Sequence, residues 1–335
     1  MHRAIELAKL GLGKVSPNPM VGCVIVHEGR IIGEGLHEVY GGPHAEVNAI
    51  NSVQDVTLLK NAEVYVSLEP CSHHGKTPPC ADLLISNKVK RVYISTLDPN
   101  PLVSGKGIQR MKAAGIKVET GILEEEGSLV NKRFFTFQNS NRPYLILKWA
   151  RTADNFIARE NYDSKWISNE YSRQLVHKWR VEEDAIMVGA NTAIHDNPKL
   201  NARDWEGKDP IRILIDPNLK VPQSGHLFDG SQKTIIYNKT FNKSDENIDF
   251  VKLEKPDFLR SVLNDLYNRN IMSVLVEGGA YLINTILSEN LWNEARVFSS
   301  METFGNGIKE PDLINSTLVE KRNVFNDELL FFKHN

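Results

Sequence analysis

One histidine and two cysteines in the first quarter of the chain have the residue types and the order of a metal site. His44 follows Pro43, Cys71 follows Pro70, and eight residues separate Cys71 from Cys80. Three protein ligands leave the fourth tetrahedral position of a zinc ion free for water, as a catalytic zinc requires. Zinc lowers the pKa of such a water, so that a nucleophile forms near neutral pH. These residues therefore predict zinc-dependent hydrolysis.

Glu46 adds a proton carrier to this group, because it stands two residues after His44. A carboxylate on the first turn of a helix can reach the water without binding the metal, and can pass a proton to a leaving amine. His-x-Glu followed by Pro-Cys-x-x-Cys is typical of zinc-dependent base deaminases, although residues 72–79 replace the two residues between the cysteines here. The alternatives are a chance coincidence of ligand types or a closed structural zinc with His73 or His74 as fourth ligand.

A second candidate site lies in the other half of the chain, at Glu277, Gly278 and Gly279. Two glycines between a predicted strand and a predicted helix allow a phosphate to approach backbone N–H groups. The pattern is not the Gly-x-Gly-x-x-Gly fingerprint, and the glycines could equally serve a tight turn.

Length, charge and cysteine content limit the class of protein. A chain of 335 residues is too long for one ordinary core, so we expect two domains. A formal net charge of −2 argues against a nucleic-acid partner held by phosphate neutralisation. Three cysteines, two of them assigned to the metal, argue against a disulfide framework and fit a reducing cytosol. No apolar run approaches the roughly twenty residues of a membrane helix.

The first half of the chain must position the metal ligands on alternating strands and helices. Two proline-rich polar turns lie at 16–19 and 98–101. The second should border the pocket, and in the first Asn18 either closes its turn or contacts a substrate. The boundary between domains is expected at 138–143, the one stretch with linker character. Predicted helices cover 1–14, a segment from Pro43, 80–86, 107–114 and 124–135, and predicted strands cover 21–26, 31–36, 63–69, 91–96 and 117–122.

The second half repeats this alternation, which predicts helices packed on a central sheet. A polar segment at 192–203 has no assigned element. Predicted helices cover 169–180, 258–269 and 280–288, and predicted strands cover 144–150, 156–158, 185–189, 211–216, 234–237, 250–253, 273–276, 296–299 and 329–332.

The motifs of both halves resemble one family, the bifunctional riboflavin-biosynthesis deaminase/reductases. The eight-residue spacing of the cysteines is highly specific. The matching segments of the first half are Ser16-Pro17-Asn18-Pro19, His37, His44-Ala45-Glu46, Pro70-Cys71, Gly75-Lys76-Thr77-Pro78-Pro79-Cys80 and Asp98-Pro99-Asn100-Pro101. Those of the second half include Lys148, Ser164-Lys165-Trp166-Ile167, His177 to Arg180, Asp196-Asn197-Pro198 and Val276-Glu277-Gly278-Gly279.

The resemblance implies an α/β protein of two domains: a cytidine-deaminase-like α/β/α sandwich over 1–142 and a dihydrofolate-reductase-like α/β domain over 143–335. It implies one zinc ion per chain, deamination of 2,5-diamino-6-ribosylamino-4(3H)-pyrimidinone 5′-phosphate, and NADPH-dependent reduction of the ribosyl to the ribityl side chain. We expect a cytoplasmic homo-oligomer with a small-molecule substrate, without a nucleic-acid or membrane partner. The alternative is a nucleic-acid or free-base zinc deaminase with an unrelated second domain, which predicts a basic face and a short Cys-x-x-Cys loop; the sequence has neither.

The resemblance also assigns roles by position. In the first domain it implies zinc ligands at His44, Cys71 and Cys80, a proton shuttle at Glu46, and substrate contacts at Asn18, His37, Lys76, Asp98 and Asn100. In the second domain it implies a catalytic Lys148 and substrate contacts at Ser164, Arg180, Leu200, Arg203 and Glu277; the two arginines suit a sugar phosphate or are solvated surface charges. The implied cofactor positions are Ala150, Trp166, Thr192, Asp196, Gly279, Ala280, Tyr281, Leu282, Ile283, Asn284 and Thr285.

The chain departs from the family pattern in two places. Residues 152–155 read Thr-Ala-Asp-Asn where the family has Ser-Leu-Asp-Gly. Asn155 tolerates a positive φ better than most residues, so we expect the turn to survive the loss of glycine. The family's Ala-Pro after the penultimate strand is also missing, near Ser300.

Overall fold

A computed structural model describes residues 1–72, 78–100, 104–165, 167–254 and 256–335. The chain divides into two compact units, Met1–Asn141 and Arg142–Asn335. Within the described ranges, no helix combines the length and the apolar character needed to cross a bilayer.

The first unit is a five-stranded sheet covered by helices on both faces. Its strands are β1 (Gly22–His27), β2 (Arg30–Leu36), β3 (Glu63–Leu68), β4 (Arg91–Thr96) and β5 (Lys117–Thr120). They run in the order β2-β1-β3-β4-β5; β1 is antiparallel to both neighbours, and β3, β4 and β5 are parallel. The helices are α1 (His2–Lys9), α2 (Ala45–Asn51), α3 (Cys80–Ser86), α4 (Lys106–Ala113), α5 (Glu124–Val130) and α6 (Lys132–Ser140).

Alternating apolar residues of the strands form the core of this unit. On one face Ile25 and Val64 pack against Ala49 of α2 and Leu84 of α3. Helix α2 lies very close to β2, because a Cβ added at Gly35 would stand 2.2 Å from the backbone N of Ala49. Only glycine permits this approach, which sets the position of the helix that begins after His44. The resulting layers are those of an α/β/α sandwich.

The second unit is built on a ten-stranded sheet, again with helices on both faces. Its strands are β6 (Tyr144–Arg151), β8 (Ala185–Gly189), β9 (Ile211–Ile215), β10 (Thr234–Asn238), β11 (Lys243–Ser244), β12 (Ile248–Lys252), β13 (Ser273–Val276), β14 (Glu294–Ser299), β16 (Ser316–Val324) and β17 (Asp327–His334). The short strands β7 (Phe156–Ala158) and β15 (Ile308–Lys309) form a separate pair, and the helices are α7 (Glu170–Glu182), α8 (Ala190–Asp196), α9 (Phe258–Asn268) and α10 (Ala280–Ser288).

The strands lie side by side in the order β11-β12-β10-β9-β8-β13-β6-β14-β17-β16. The seven strands from β12 through β10, β9, β8, β13 and β6 to β14 are parallel and form the middle of this sheet. The innermost of these strands are largely apolar, and β13 is buried along its whole length. The carboxyl ends of parallel strands meet at one edge, where ligands bind in open α/β sheets. That edge carries the residues that follow β6, β8, β9, β10 and β13.

The predicted helix over 124–135 is wrong in one respect, because the chain forms two helices, α5 and α6, with Asn131 between them. The Asn131 side chain accepts a hydrogen bond from Met20 N at 2.8 Å and donates one to Met20 O at 2.9 Å. This pairing with a distant turn interrupts the helix. The linker expected at 138–143 is also partly wrong, since α6 continues to Ser140.

Two further differences and one confirmed expectation concern the second unit. No element is predicted for the polar segment 192–203, but α8 occupies its first part up to Asp196. Strand β16 was missed because most of its side chains are exposed, which leaves no alternation in the sequence. The turn at 152–155 keeps its shape: Asn155 has a φ of 67°, which confirms the expectation that asparagine replaces glycine there.

Candidate active sites of the two units

The three predicted metal ligands come together at one end of the first sheet. His44 is the N-cap residue of α2, Cys71 follows β3, and Cys80 is the first residue of α3. His44 Nδ1 lies 3.6 Å from Cys71 Sγ and 3.3 Å from Cys80 Sγ. A tetrahedral zinc with ordinary Zn–N and Zn–S bonds separates such atoms by about 3.6 Å. The donor set and its spacing therefore fit zinc.

The thiol of Cys71 is prepared to carry a negative charge. The hydrogen bond from the Cys80 thiol lowers the pKa of Cys71; burial opposes this shift, and His44 supports it. The backbone N–H of Cys80 also donates to Cys71 Sγ at 3.3 Å. Metal ligation requires a thiolate, so these contacts favour the form of Cys71 that binds zinc.

Glu46 lies on the first turn of α2 and is only 3% exposed. Burial, with a contribution from the nearby Cys71 charge, raises its pKa from 4.5 to about 6. A carboxyl group with a pKa near neutrality can both accept and release a proton under working conditions. Glu46 has the position and the acidity that a proton shuttle beside the metal needs.

Asn18 and His37 form a pair behind the metal ligand. His37 Nδ1 lies 2.9 Å from the carbonyl of Pro43, so it donates there, and Nε2 accepts from Asn18 Nδ2 at 3.0 Å. Burial lowers the pKa of His37, which favours this neutral tautomer. The His37 ring meets the His44 ring edge-on, with centroids 5.6 Å apart. The turn at Asn18 is closed by its backbone N–H to Val15 O, which leaves the side chain for His37.

Glu69, which the sequence reasoning did not single out, connects the cysteine loop to the predicted substrate loop. Its Oε2 accepts from Gly105 N at 3.1 Å and from Asp98 N at 3.5 Å, and it is 4% exposed. Asp98 Oδ1 in turn accepts from Asn100 N at 2.8 Å. The signal in the sequence was a carboxylate between an apolar strand and Pro-Cys, where water is excluded. Lys76, another predicted substrate contact, lies outside the described residues.

In the second unit, three charged side chains meet at the carboxyl ends of β6 and β13. Arg180 of α7 binds Glu277 with two hydrogen bonds, Nε to Oε1 at 2.8 Å and Nη2 to Oε2 at 2.9 Å. Lys148 Nζ lies 3.8 Å from Glu277 Oε2. Arg180 also donates to the carbonyl of Asn201 at 2.9 Å. The sequence placed these residues far apart, and the parallel pairing of β6 with β13 brings them together.

Burial opposes the charge on Glu277, but Arg180 and Lys148 outweigh it and lower the pKa of Glu277 to about 2. Burial also lowers the pKa of Lys148, and the Glu277 carboxylate limits that effect. The three groups therefore form an ion cluster whose geometry is kept by charge pairing.

These charges face a cavity of about 1360 Å³ at the strand ends. Most of the predicted cofactor and substrate positions line it: Lys148, Ala150, Ser164, Arg180, Thr192, Asp196, Leu200, Arg203, Glu277, Gly279, Ala280, Tyr281, Leu282 and Thr285. Two predicted cofactor positions are placed elsewhere, since Ile283 is fully buried in the core and Asn284 is exposed on α10 outside the cavity lining. Trp166 lies outside the described residues.

The Gly278-Gly279 turn fits a phosphate-bearing ligand. Gly279 is the N-cap of α10, and its N–H donates to Thr192 Oγ1 at 2.8 Å. A Cβ added at Gly279 would stand 3.1 Å from that oxygen. The amides of Ala280 and the following residues are the unpaired N–H groups of a helix N-terminus, which attract phosphate. On the far side, Ser164 Oγ donates to Asp196 Oδ1 at 3.5 Å.

Fold and sites together have the features of a zinc-dependent deaminase unit joined to a unit that binds a phosphate-bearing cofactor. Comparison with protein families agrees. Residues 1–96 match the cytidine and deoxycytidylate deaminase zinc-binding region, and residues 143–325 match the RibD C-terminal domain.

Relatives extend the match to nearly the whole chain. The riboflavin biosynthesis protein RibD of Aquifex aeolicus is 41% identical over 99% of this chain and 97% of its own length. The corresponding protein of Bacillus amyloliquefaciens is 41% identical over 94% and 87%. A crystal structure of a diaminohydroxyphosphoribosylaminopyrimidine deaminase/5-amino-6-(5-phosphoribosylamino)uracil reductase from Thermotoga maritima is 38% identical and covers 100% of this chain and 97% of its own, with a TM-score of 0.89.

The chain belongs to the RibD family. It is a bifunctional enzyme of riboflavin biosynthesis, with a deaminase and a reductase activity. The expected cytidine-deaminase-like first domain and reductase second domain are confirmed, and the alternative of an unrelated second domain is not supported.

Proposed function

We propose that the first unit hydrolyses the ring amine of 2,5-diamino-6-ribosylamino-4(3H)-pyrimidinone 5′-phosphate, and that the second reduces the ribosyl group of the product to ribityl with NADPH. The observation that carries this proposal is the presence of two complete sets of reactive groups. One is His44, Cys71 and Cys80 with Glu46, and the other is the Lys148–Glu277–Arg180 cluster. The Thermotoga maritima protein is named as the deaminase of an aminopyrimidine and the reductase of a uracil, which supports this order, since deamination turns the first into the second.

In the deaminase unit, His44, Cys71 and Cys80 would hold the zinc, which supplies a Lewis acid that activates water. Glu46 accepts the proton of that water and returns it to the departing ammonia, so its carboxylate is regenerated in each turnover. The Asn18–His37 pair fixes the position of Pro43 and with it the start of α2. Asp98 and Asn100, held through Glu69, border the substrate.

In the reductase unit, NADPH supplies the hydride, and the protein holds the two reactants together. Lys148 positions the sugar carbon that receives the hydride. Glu277 keeps Lys148 and Arg180 in place through its paired carboxylate oxygens. Arg180 and Arg203, both on the cavity wall, bind the sugar phosphate. The N-terminus of α10 binds a phosphate of the cofactor.

Two assays test the assignment directly. Purified protein is expected to contain one zinc per chain and to release ammonia from the aminopyrimidine substrate; full activity after exhaustive chelation, in protein without zinc, would disprove the metal site. Substrate supplied already deaminated should be reduced with oxidation of NADPH. A lack of NADPH oxidation with this substrate would disprove the cofactor assignment without affecting the assignment of the deaminase.

We further propose that the enzyme works in the cytoplasm as a homo-oligomer that binds no nucleic acid. The net charge of −2 and the free cysteines support the compartment and the absence of a nucleic-acid partner. Sedimentation of the purified protein would test the oligomeric state, and a single species of monomer mass would contradict it.

A further inference from the structure

The cavity of the second unit extends well beyond the ion cluster. It follows the carboxyl ends of the parallel strands, from β6 and β13 past β8 and β9 to β10. Neighbouring strands are about 4.8 Å apart, so the end of β10 lies roughly 14 Å from the end of β13 and roughly 19 Å from that of β6. With the nicotinamide beside Lys148 and a phosphate at α10, an extended dinucleotide would place its adenosine near β9 and β10.

Two lysines line the cavity at this distant end, Lys220 after β9 and Lys239 after β10. The loop that carries Lys220 is fixed by Asp216, whose carboxylate accepts from Lys220 N and from Val221 N, each at 2.9 Å. The backbone N–H of Lys239 donates to Pro217 O at 3.0 Å, which joins the two loops. The fold therefore brings both lysines to the same part of the cavity wall.

These two lysines have no carboxylate partner among the described residues, unlike the basic groups of the ion cluster. Lys148 and Arg180 are both paired with Glu277. Across the described ranges, neither Lys220 nor Lys239 has a carboxylate within ion-pair distance, and both side chains are exposed. Lys239 Nζ only approaches the Phe258 ring, at 5.8 Å from its centroid.

The carboxylates nearby do not neutralise this end of the cavity. Asp216 is 1% exposed, and both of its oxygens are engaged with backbone N–H groups. Glu289, on the cavity wall after α10, pairs with Arg260 at 3.6 Å. A dinucleotide site for NAD typically offers a carboxylate to the ribose 2′-hydroxyl, whereas a site for NADP offers a cation to the 2′-phosphate. The free charge here is positive.

We propose that Lys220 and Lys239 bind the adenosine 2′-phosphate and so make the reductase select NADPH over NADH. This inference rests on the proposed use of a nicotinamide dinucleotide, and it adds the residues that choose between the two cofactors. NADPH and NADH differ only in the adenosine 2′-phosphate, so an enzyme that discriminates between them must do so through residues that contact this phosphate.

The experiment uses the full-length enzyme and two probes, 2′,5′-ADP and 5′-AMP, with binding followed by calorimetry. The variants are Lys220→Gln, Lys239→Gln and the double substitution, and Lys243→Gln serves as a matched control. Lys243 lies on β11 outside the cavity and pairs with Asp245. An exposed ion pair contributes up to about 1 kcal/mol, so each single variant should bind 2′,5′-ADP roughly fivefold more weakly and the double variant at least tenfold.

Affinity for 5′-AMP should stay within about twofold in every variant, since that probe has no 2′-phosphate. In the reduction assay, the ratio of kcat/KM with NADPH to kcat/KM with NADH should fall in each single variant and fall furthest in the double variant. Lys243→Gln should leave this ratio unchanged. Equal loss for both probes, or an unchanged preference in the double variant, would overturn the inference while the use of NADPH stands. If the wild-type enzyme bound neither probe and oxidised no NADPH, both the inference and the proposed cofactor would fail.

Discussion

The two active sites are built in different ways. In the deaminase unit, the reactive atoms converge within 4.8 Å and come from residues 44 to 80, on consecutive elements. In the reductase unit, the ion cluster joins residues from three separate elements, Lys148, Arg180 and Glu277, and opens onto a cavity of about 1360 Å³. Loss of one ligand from a compact donor set should abolish metal binding, whereas loss of one charge along an open cavity should weaken ligand binding only in part.

The sharpest test of this contrast is Glu46→Gln, which keeps the shape of the side chain but removes the proton carrier. Deamination should fall by roughly 10²–10⁴-fold, the usual cost of losing general acid/base catalysis. Reduction of substrate supplied already deaminated should be nearly unchanged. Ammonia release and NADPH oxidation are measured on the same preparation, with Glu125→Gln, an exposed position of α5, as control. Loss of both activities in zinc-loaded, folded protein would show that the two sites are not independent.

The ion cluster should also contribute to stability, in a pH-dependent way. The pKa of Glu277 is about 2 in the folded state against an ordinary 4.5. Since the folded-state pKa is depressed, the stabilisation is complete above about pH 4.5 and disappears as the pH falls toward 2. Integrated over that shift it amounts to about 3 kcal/mol, of which roughly 2 kcal/mol is lost between pH 5 and pH 3.

Urea unfolding of the wild type and of Glu277→Gln at both pH values checks this expectation. The variant lacks the titrating group and leaves two basic side chains without their partner, so it should be less stable than the wild type at pH 5. The difference in the free energy of unfolding between wild type and variant should be about 2 kcal/mol smaller at pH 3 than at pH 5. A deficit that does not change with pH would show that the carboxylate is not strongly perturbed.

Lys148→Ala is the counterpart of the Glu46 variant. Removing the cation that positions the sugar should lower the rate of reduction by roughly 10–100-fold, because a misplaced substrate loses part of its orientation. Ammonia release should not change. Lys178→Gln, on the solvent side of α7 and paired with Glu182, should leave both activities intact. If Lys148→Ala reduced deamination as strongly as reduction, the separation of the sites would be disproved.

A smaller effect than that of Lys148→Ala is expected at the cofactor turn. Gly279→Val places a branched side chain where even a Cβ lies 3.1 Å from Thr192 Oγ1, so the phosphate and that hydroxyl compete with the new methyl groups for space. The KM for NADPH should rise by about tenfold, with the KM for the pyrimidine little affected. A change in the NADPH KM within about twofold, under roughly 0.4 kcal/mol, would remove the turn from the cofactor site.

The sequence predicted what local pattern determines. Helices α3 and α10 and strands β4, β8 and β13 have the predicted bounds, because each is a short apolar or amphipathic run between clear turn residues. The zinc ligands were accessible in the same way, since their spacing is local. The resemblance to known proteins, and not the pattern, supplied most of the reductase positions.

What the sequence did not predict depends on distant partners. The break at Asn131 exists because its side chain pairs with Met20, 111 positions earlier. Glu69 acquires its role only when the loop after β4 folds over it. Lys220 and Lys239 become neighbours through the parallel pairing of β9 and β10, and nothing in either segment alone marks a phosphate site.

The close contact between Gly35 and α2 predicts the phenotype of a mutant allele. Any side chain there would meet the backbone of Ala45 and Ala49, at 2.4 and 2.2 Å, and would push away the helix that carries Glu46. Gly35, Ala45 and Ala49 all belong to the first unit, so an allele encoding Gly35→Ala should behave as a deaminase-specific null. In a cell that depends on its own vitamin synthesis, a second gene copy carrying Lys148→Ala should complement it.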